Sequence, residues 1–537
     1  MRRVFDRWTR YYQQLLAPDS LPTSWQIILL VLILVIVFVV RIVTISTPAL
    51  DETAWKEIDY LMISQNYWQN GYNFFQPEVS WPAEPPRVTE MEIPLVPYAA
   101  ALLYKPLGYN VYTARAITLF SFLLLIVYVF KLTKRELGPY VAVTSAFVAG
   151  MIPLYQPFGR FLFTEPLMIA MSVAALYYVA EWIDNKNRRD GVLAWLTLTL
   201  TIALKLEALY LFLPILWIAY RKYGINLKRY KIFLVLVVLA LILPVLWYAY
   251  AYYLENTGAH LFGIFKGHNK SQTLRMITDL RWYRTMAGRI INQILSGMAV
   301  TIIAILGLLS GIRLRRAGLF FVYLIAIGVY FILVAEGQID APYRQMTSIP
   351  ALSIFVAMGA IAIVLAILAI IHSLRETVVL STRQIQVSLI ICFILLALIP
   401  LRKLDTITAS FSPVHWEQWT MAQEIKRHTD ETSKLVVTGE YTIHVGGYDL
   451  SPVIYHYTGL QGWTLTAETL TVEQIELLIN RGATHFVRVP PYGDPNSFIN
   501  LQEADTTPII EALKLEYPTL NEGENGILLD LNASASE

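Results

Sequence analysis

Apolar runs long enough to cross a lipid bilayer recur along most of this 537-residue chain. About 20 apolar residues span the hydrocarbon core as a helix. In lipid, only helices and closed barrels satisfy their own backbone polar groups. The runs lie near 25–45, 111–131, 139–157, 163–183, 190–204, 206–220, 231–253, 290–311, 318–335, 346–371 and 386–401. They predict about eleven spanning helices. Hydrophobic residues make up 56% of the chain and charged residues 15%, against roughly 45–50% and 25% in soluble domains. The expected fold class is an α-helical polytopic membrane protein. The stretch from 190 to 220 is divided at Lys205. One apolar helix of that length would overshoot a bilayer, and a lysine in mid-run needs an exit.

The start of the chain is basic, with Arg2, Arg3, Arg7 and Arg10. The apolar run that follows exceeds the roughly 7–15 residues of a signal-peptide core, so it is read as an uncleaved first span. Lysine and arginine gather at 2–10, 131–135, 186–189, 221–231, 313–316 and 375–383. With eleven spans, all six basic loops fall on one side, which the positive-inside rule makes cytoplasmic. The expectation is a plasma (inner) membrane protein with a cytoplasmic N-terminus. Residues 1–401 are expected to form its transmembrane domain, which includes a long first outer loop at 46–110.

Residues 402–537 change composition and suit a small extracytoplasmic α/β domain. Its predicted elements are helices at 415–428 and 471–481 and strands at 434–438 and 485–489. Within the first outer loop, Ile58, Leu61, Met62, Gln65 and Tyr67-Trp68 show helical spacing suited to an interfacial helix. The outer loop 254–289 carries Lys266, Lys270, Arg275, Arg281 and Arg284, which are expected to meet anions, either lipid head groups or a substrate phosphate.

Four groups of charged residues sit at outer-side membrane junctions. Asp51-Glu52 follow the first span; they suit a helix N-terminus, and equally a general base that meets a lipid-embedded and an aqueous substrate together. Arg160 and Glu165-Pro166 lie between the third and fourth runs. A snorkelling arginine and a glutamate opening a helix explain them locally, and a cation awaiting a leaving phosphate explains them chemically. Lys205 and Glu207 interrupt an apolar stretch, either as a simple turn to water or as functional intramembrane charges. Tyr343-Arg344 open the tenth run, where a guanidinium serves as an interface anchor or as a bidentate phosphate ligand. Together they offer what group transfer from a lipid phosphate to a polar acceptor needs: an acid to take the acceptor proton and cations to stabilise the departing phosphate.

Other chemistries find no support. There is no phosphate loop, no dinucleotide-binding glycine fingerprint and no HExxH motif. His260 and His268 read as ordinary loop residues, no histidine pair suggests a metal, and no pattern suggests nucleic-acid binding. The one cysteine, Cys392, precludes an intrachain disulfide.

The segments Asp51-Glu52, SQNYWQNGYNFFQPEV (64–79), TEMEIPLVPYAAALLYKPLG (89–108), GRFLFTEPLMIA (159–170), LKLEALYLFLP (204–214) and APYRQMTSIPAL (341–352), in that order, resemble bacterial membrane glycosyltransferases of the GT-C superfamily. The similarity is to glycosyltransferase family 39, which includes the protein O-mannosyltransferases and the aminoarabinose transferases of lipid A. SPVIYHYTGLQGW (451–463) and RGATHFVRV (481–489) look like the trailing outer domain of such enzymes.

The resemblance implies inverting transfer of a monosaccharide from a polyprenyl-phosphate donor to a hydroxyl on a protein, lipid or glycan. It implies Asp51 as catalytic base and Glu52 beside it in a binding role. Arg160 and Glu165 match an arginine–acid pair of the second outer loop, and Lys205, Tyr343 and Arg344 fall where phosphate-contacting groups are expected. Glu92, with Pro94 and Leu95, matches the stretch that shapes the acceptor side. The chain departs from the pattern with Glu165 where aspartate is commoner, and with Glu92 where aminoarabinose transferases have a Lys-Pro-Pro arrangement. A divalent cation is compatible with the superfamily, but the residues do not demand one. The expected partners are the lipid-linked donor, the hydroxyl acceptor and membrane lipids. A lipid or solute transporter is the alternative, but it should show inverted repeats or broken helices in corresponding halves. A non-catalytic subunit of an envelope assembly is a third.

Overall fold

The computed structural model describes residues 2–43, 45–50, 54–152, 159–258, 273–373, 416–438, 453–466, 469–490 and 506–533, with scattered positions between them. Its helices begin with α1 (Arg2–Leu15), α2 (Thr23–Ile42), α3 (Ala54–Gln69), α4 (Leu95–Leu107), α5 (Val111–Leu137) and α6 (Pro139–Met151). There follow α7 (Glu165–Asn185), α8 (Arg188–Leu204), a 3-10 segment (Leu206–Leu211), α9 (Phe212–Tyr223) and α10 (Lys231–Thr257). Next come α11 (Thr273–Ile277), α12 (Leu280–Arg289), α13 (Met298–Leu314), α14 (Gly318–Leu333), α15 (Ala335–Asp340), a second 3-10 segment (Pro342–Ser348) and α16 (Ile349–Ser373). The C-terminal part contributes α17 (Trp416–His428), β1 (Lys434–Thr438), α18 (Val453–Thr458), β2 (Gln461–Leu465), α19 (Val472–Asn480), β3 (His485–Arg488), α20 (Thr507–Glu516), β4 (Thr519–Gly523) and β5 (Gly526–Asp530).

Among the described residues, five helical segments are long and apolar enough to cross a membrane: α2, α5, α7, α10 and Pro342–His372. A sixth results if Leu280–Ile294 and Met298–Leu314, bent by 96°, form one span. α6 and α14 are shorter apolar helices. The run at 190–204 is the 17-residue α8. The run at 206–220 is not one helix, because a 3-10 segment of 6 residues precedes the 12-residue α9. The break falls at Lys205, which leaves helical space for extended backbone at φ −154°, ψ 121°. The run at 386–401 lies largely outside the described residues.

The chain forms two compact units, one from Met1–Ser46, Arg115–Leu246 and Lys270–Ala409, the other from Thr47–Ala114, Trp247–Asn269 and Ser410–Glu537. In the first, α1 is tied to α16 by Tyr12 Oη donating to the Met358 carbonyl at 2.9 Å and Trp8 Nε1 to the Ala362 carbonyl at 3.0 Å. α13 and α16 cross closely at Gly307 and Gly359: a Cβ at 307 would lie 2.7 Å from the Phe355 carbonyl carbon and 2.9 Å from the Gly359 nitrogen. Small residues let membrane helices approach backbone to backbone in this way. Two of the predicted basic loops, 131–135 and 221–231, meet in one ion network with Glu136 and the end of α7. Arg135 pairs with Glu136, Glu181 and Asp184, Arg221 pairs with Glu136, and Lys222 pairs with Asp184.

The second unit holds a five-stranded sheet in the order β2-β1-β3-β5-β4. β1 runs parallel to β2 and β3, and β5 runs antiparallel to β3 and β4. Val436, Trp463, Phe486, Leu529 and Ile475 fill its core, joined by Ala83 from the first-loop region. That region also extends the sheet's β2 edge: Gly462 N donates to the Ser80 carbonyl at 3.2 Å, Arg87 to Gln461 at 2.7 Å, and Trp463 Nε1 to Glu84 at 2.9 Å.

Helix α3 corrects the expectation of an interfacial helix. Every residue from Lys56 to Ser64 is buried, the charged Lys56, Glu57 and Asp59 included. Its polar side chains are held inside the unit: Tyr60 donates to Glu92, and Asn66 Nδ2 donates to the Glu78 carbonyl at 2.8 Å.

Candidate active site

Glu165 is the first residue of α7, with Pro166 behind it in the first turn. Proline there presets helical φ where no amide bond is lost, and a carboxylate suits the positive end of the helix dipole. Its side chain is only 3% exposed and lies 3.3 Å from Lys205 Nζ. The extended backbone at Lys205 lets this ammonium turn from its own helix toward α7. The sequence offers Arg160 as the partner of Glu165; the geometry brings in Lys205, from the interruption between α8 and α9.

Two residues on, Glu207 lies in the first turn of the 3-10 segment, 3.9 Å from Arg344 Nη1. Arg344 itself sits in the second 3-10 segment, before α16. Two helix interruptions are therefore joined by an ion pair, and two acids alternate with two cations. The Arg344 side chain is 21% exposed, and among the described residues its Nε finds no hydrogen-bond partner. A guanidinium has five N–H donors; that Nε is buried, so an anionic ligand would meet the exposed fifth of the side chain. Glu165, Tyr343 and Tyr330 also lie within electrostatic range of it.

Arg160 is 1% exposed, so it does not snorkel to an interface. Its guanidinium lies 4.7 Å from the centre of the Phe161 ring. Phe161 packs edge-on to Phe163 at 5.7 Å, and Phe163 to Tyr343 at 5.3 Å. This aromatic file ties the 159–164 turn to the segment carrying Tyr343 and Arg344. The first unit thus gathers Arg160, Glu165, Lys205, Glu207, Tyr343 and Arg344.

Glu92 belongs to the second unit, where it is buried and accepts the Tyr60 hydroxyl. It directly precedes the turn into α4, whose first residue is Leu95. Asp51 and Glu52 lie outside the described residues, as do His260, Lys266, His268 and Lys270. Of the outer-loop cations, Arg281 meets an anion of the chain itself, Asp279, at 2.7 Å. Among the described residues no group of three or more His, Cys, Asp or Glu side chains could hold a metal ion.

The second unit also buries a histidine. His456 on α18 is 8% exposed, and its Nδ1 lies 3.4 Å from the Tyr109 hydroxyl. Burial pushes the imidazole down to about 4, against the attraction of Glu57 and with the help of Lys426. The ring is therefore neutral at neutral pH. Its spacing within YHYTG resembles nothing catalytic, so only the fold reveals its burial.

The family described as dolichyl-phosphate-mannose-protein mannosyltransferase matches residues 86–248. Among solved structures, ArnT from Cupriavidus metallidurans bound to undecaprenyl phosphate is similar with a TM-score of 0.60 at 14% identity, covering 96% of this chain and 99% of that one. The same protein in its apo state gives 0.60 at 13% identity, covering 95% and 98%. The oligosaccharyltransferase of Archaeoglobus fulgidus in the apo form gives 0.54 at 13% identity, covering 87% and 70%. No curated protein matches the chain at the level of sequence. At such identities the likeness to these structures is one of fold. With its long apolar helices the chain is an integral membrane protein similar in fold to ArnT and to the archaeal oligosaccharyltransferase, and the family match lies within that fold.

Proposed function

We propose that this protein is an inverting glycosyltransferase that moves a monosaccharide from a polyprenyl-phosphate donor to a hydroxyl acceptor at the outer face of the membrane. The observation behind this reading is the Arg344 guanidinium, whose side chain is 21% exposed beside Glu207 and which sits between two helix interruptions in the membrane-spanning unit. A cation so placed suits the phosphate of a lipid whose tail stays in the bilayer. The acceptor oxygen attacks the anomeric carbon, the carbon–oxygen bond to phosphate breaks, and polyprenyl phosphate leaves. The acceptor proton passes to Asp51. Arg344 and Lys205 stabilise the charge that develops on the leaving phosphate, and Glu165 and Glu207 hold these two cations in place. Tyr343 and Arg160 support them through the aromatic file. Glu52 and Glu92 are assigned to substrate binding.

The test is incubation of the purified chain with radiolabelled polyprenyl-phosphate sugar and an envelope extract as acceptor source. Wild-type protein should release polyprenyl phosphate and form a product of inverted anomeric configuration. Asp51→Asn should bind donor and fail to transfer. Recovery of intact donor moved across the bilayer would instead identify a flippase, and near-normal turnover by Asp51→Asn would remove the base assignment.

A further inference from the structure

Arg344 has a neighbour whose missing side chain determines where the guanidinium lies. Gly337 is the third residue of α15. A Cβ at this position would overlap Arg344 Nη1 and come within 2.9 Å of Arg344 Cζ and 3.2 Å of Val334 Cγ1. The guanidinium is therefore laid flat against the α15 backbone, in space that only glycine leaves open. No unusual backbone angle calls for glycine here, since Gly337 is absent from the positive-φ residues. In a helix interior glycine costs roughly 0.5–1 kcal/mol relative to alanine. The close approach of Arg344 is the feature that accounts for it.

The α15 backbone cannot easily back away. Arg289 Nη1 donates to the Gln338 carbonyl at 2.6 Å, and Arg289 Nη2 to the Ile339 carbonyl at 2.8 Å. Gln345 Nε2 also donates to the Gln338 carbonyl, at 3.0 Å, and Trp282 Nε1 to the Ala335 carbonyl at 2.9 Å. Four side-chain hydrogen bonds thus pin a helix of 6 residues. A methyl group added at 337 meets the far end of a long side chain on one side and a clamped backbone on the other. The guanidinium is the group that moves.

We propose that Gly337 is a positioning residue for the leaving phosphate: by lacking a side chain it lets α15 act as a backstop that aims the Arg344 guanidinium beside Glu207 and toward the donor. This rests on the phosphate-binding role given to Arg344 above. A purely structural glycine would behave differently, since alanine should then either strengthen α15 or destabilise the whole protein.

The experiment is a double-mutant cycle on the full-length chain in detergent, with undecaprenyl phosphate as the probe and thermal unfolding measured in parallel. Gly337→Ala should weaken probe binding about ten- to a hundredfold, the loss expected when charge-assisted hydrogen bonds are misdirected. Its unfolding temperature should stay at or above the wild-type value. In an Arg344→Lys background, which keeps the charge but has no Nη1 to displace, Gly337→Ala should cost less than about threefold. Equal weakening in both backgrounds, undiminished binding by Gly337→Ala, or a large drop in its unfolding temperature would each overturn the proposal. Wild-type protein that binds no undecaprenyl phosphate would overturn the phosphate role of Arg344 itself, a result distinct from those three.

Discussion

Lys205→Met isolates the contribution of the Glu165–Lys205 pair, because methionine keeps most of the length and apolar stem while removing the ammonium. The charges are 3.3 Å apart, with side-chain exposures of 13% for Lys205 and 3% for Glu165. At an effective dielectric constant of about 20 their attraction is roughly 5 kcal/mol. Desolvating both ions offsets much of that in the intact protein. The offset works against the single variant, because the buried carboxylate keeps its desolvation cost and loses its ammonium. The first-turn dipole of α7 compensates for only about 0.3–1 kcal/mol. The expected loss is therefore about 3–5 kcal/mol. Glu165→Gln combined with Lys205→Met removes both charges of the pair and should recover part of it, the Arg344 guanidinium nearby losing the attraction of Glu165. Unfolding of the detergent-solubilised chain, followed by tryptophan fluorescence, measures all three proteins. A Lys205→Met variant that unfolds with the wild type, or a double variant no better than the single, would refute the reasoning. A double variant that regains stability and still fails to release polyprenyl phosphate would separate the pair's role in function from its role in folding.

His456 makes stability depend on pH in a stated direction. Its folded value is lowered from 6.5 to about 4, so between these values the unfolded chain binds more protons and stability falls as pH falls, by about 3 kcal/mol at full effect. Unfolding midpoints between pH 7 and pH 4.5 should drop more steeply for wild type than for His456→Phe, and parallel slopes would refute the assignment. Gly307→Ala puts a methyl group against the backbone of Phe355 and Gly359. It should cost about 1–3 kcal/mol by forcing α13 and α16 apart, and an unchanged unfolding midpoint would count against that close crossing.

Much of the local structure was legible from sequence because it follows from short-range rules. Glu165-Pro166 opens α7 as an acidic residue followed by proline should, and the break at Lys205 follows from the length of the apolar stretch it divides. In the C-terminal segment α17, β1, α19 and β3 lie where periodicity placed them. β2, α18 and the β4–β5 hairpin were not anticipated. β2 carries Gly462, whose N–H donates to the carbonyl of Ser80, far away in sequence, so its strand character owes as much to partners as to its own residues. The ion pairs were not legible either. Lys205 is 40 positions from Glu165, and Arg344 is much further from Glu207; no periodicity encodes which acid meets which cation. α3 misled for the same reason. Its apolar spacing fits an interfacial face, but Lys56, Glu57 and Asp59 are buried too, and only tertiary partners make that tolerable.

The helix interruptions and the charges explain one another, and together they narrow the ligand. Irregular backbone within a membrane span is tolerated only where protein or a water-filled cavity satisfies it, and ionised side chains there are costly unless paired. Both 3-10 segments carry one member of the Glu207–Arg344 pair, and the residue that begins the first interruption is Lys205. The arrangement therefore makes sense for a ligand that is anionic and anchored in the bilayer at once. A freely diffusing nucleotide sugar gains nothing from a guanidinium held in the membrane-spanning unit. A polyprenyl phosphate, as proposed above, would gain, because its tail brings the phosphate to the membrane at no further cost, beside a guanidinium whose side chain is 21% exposed.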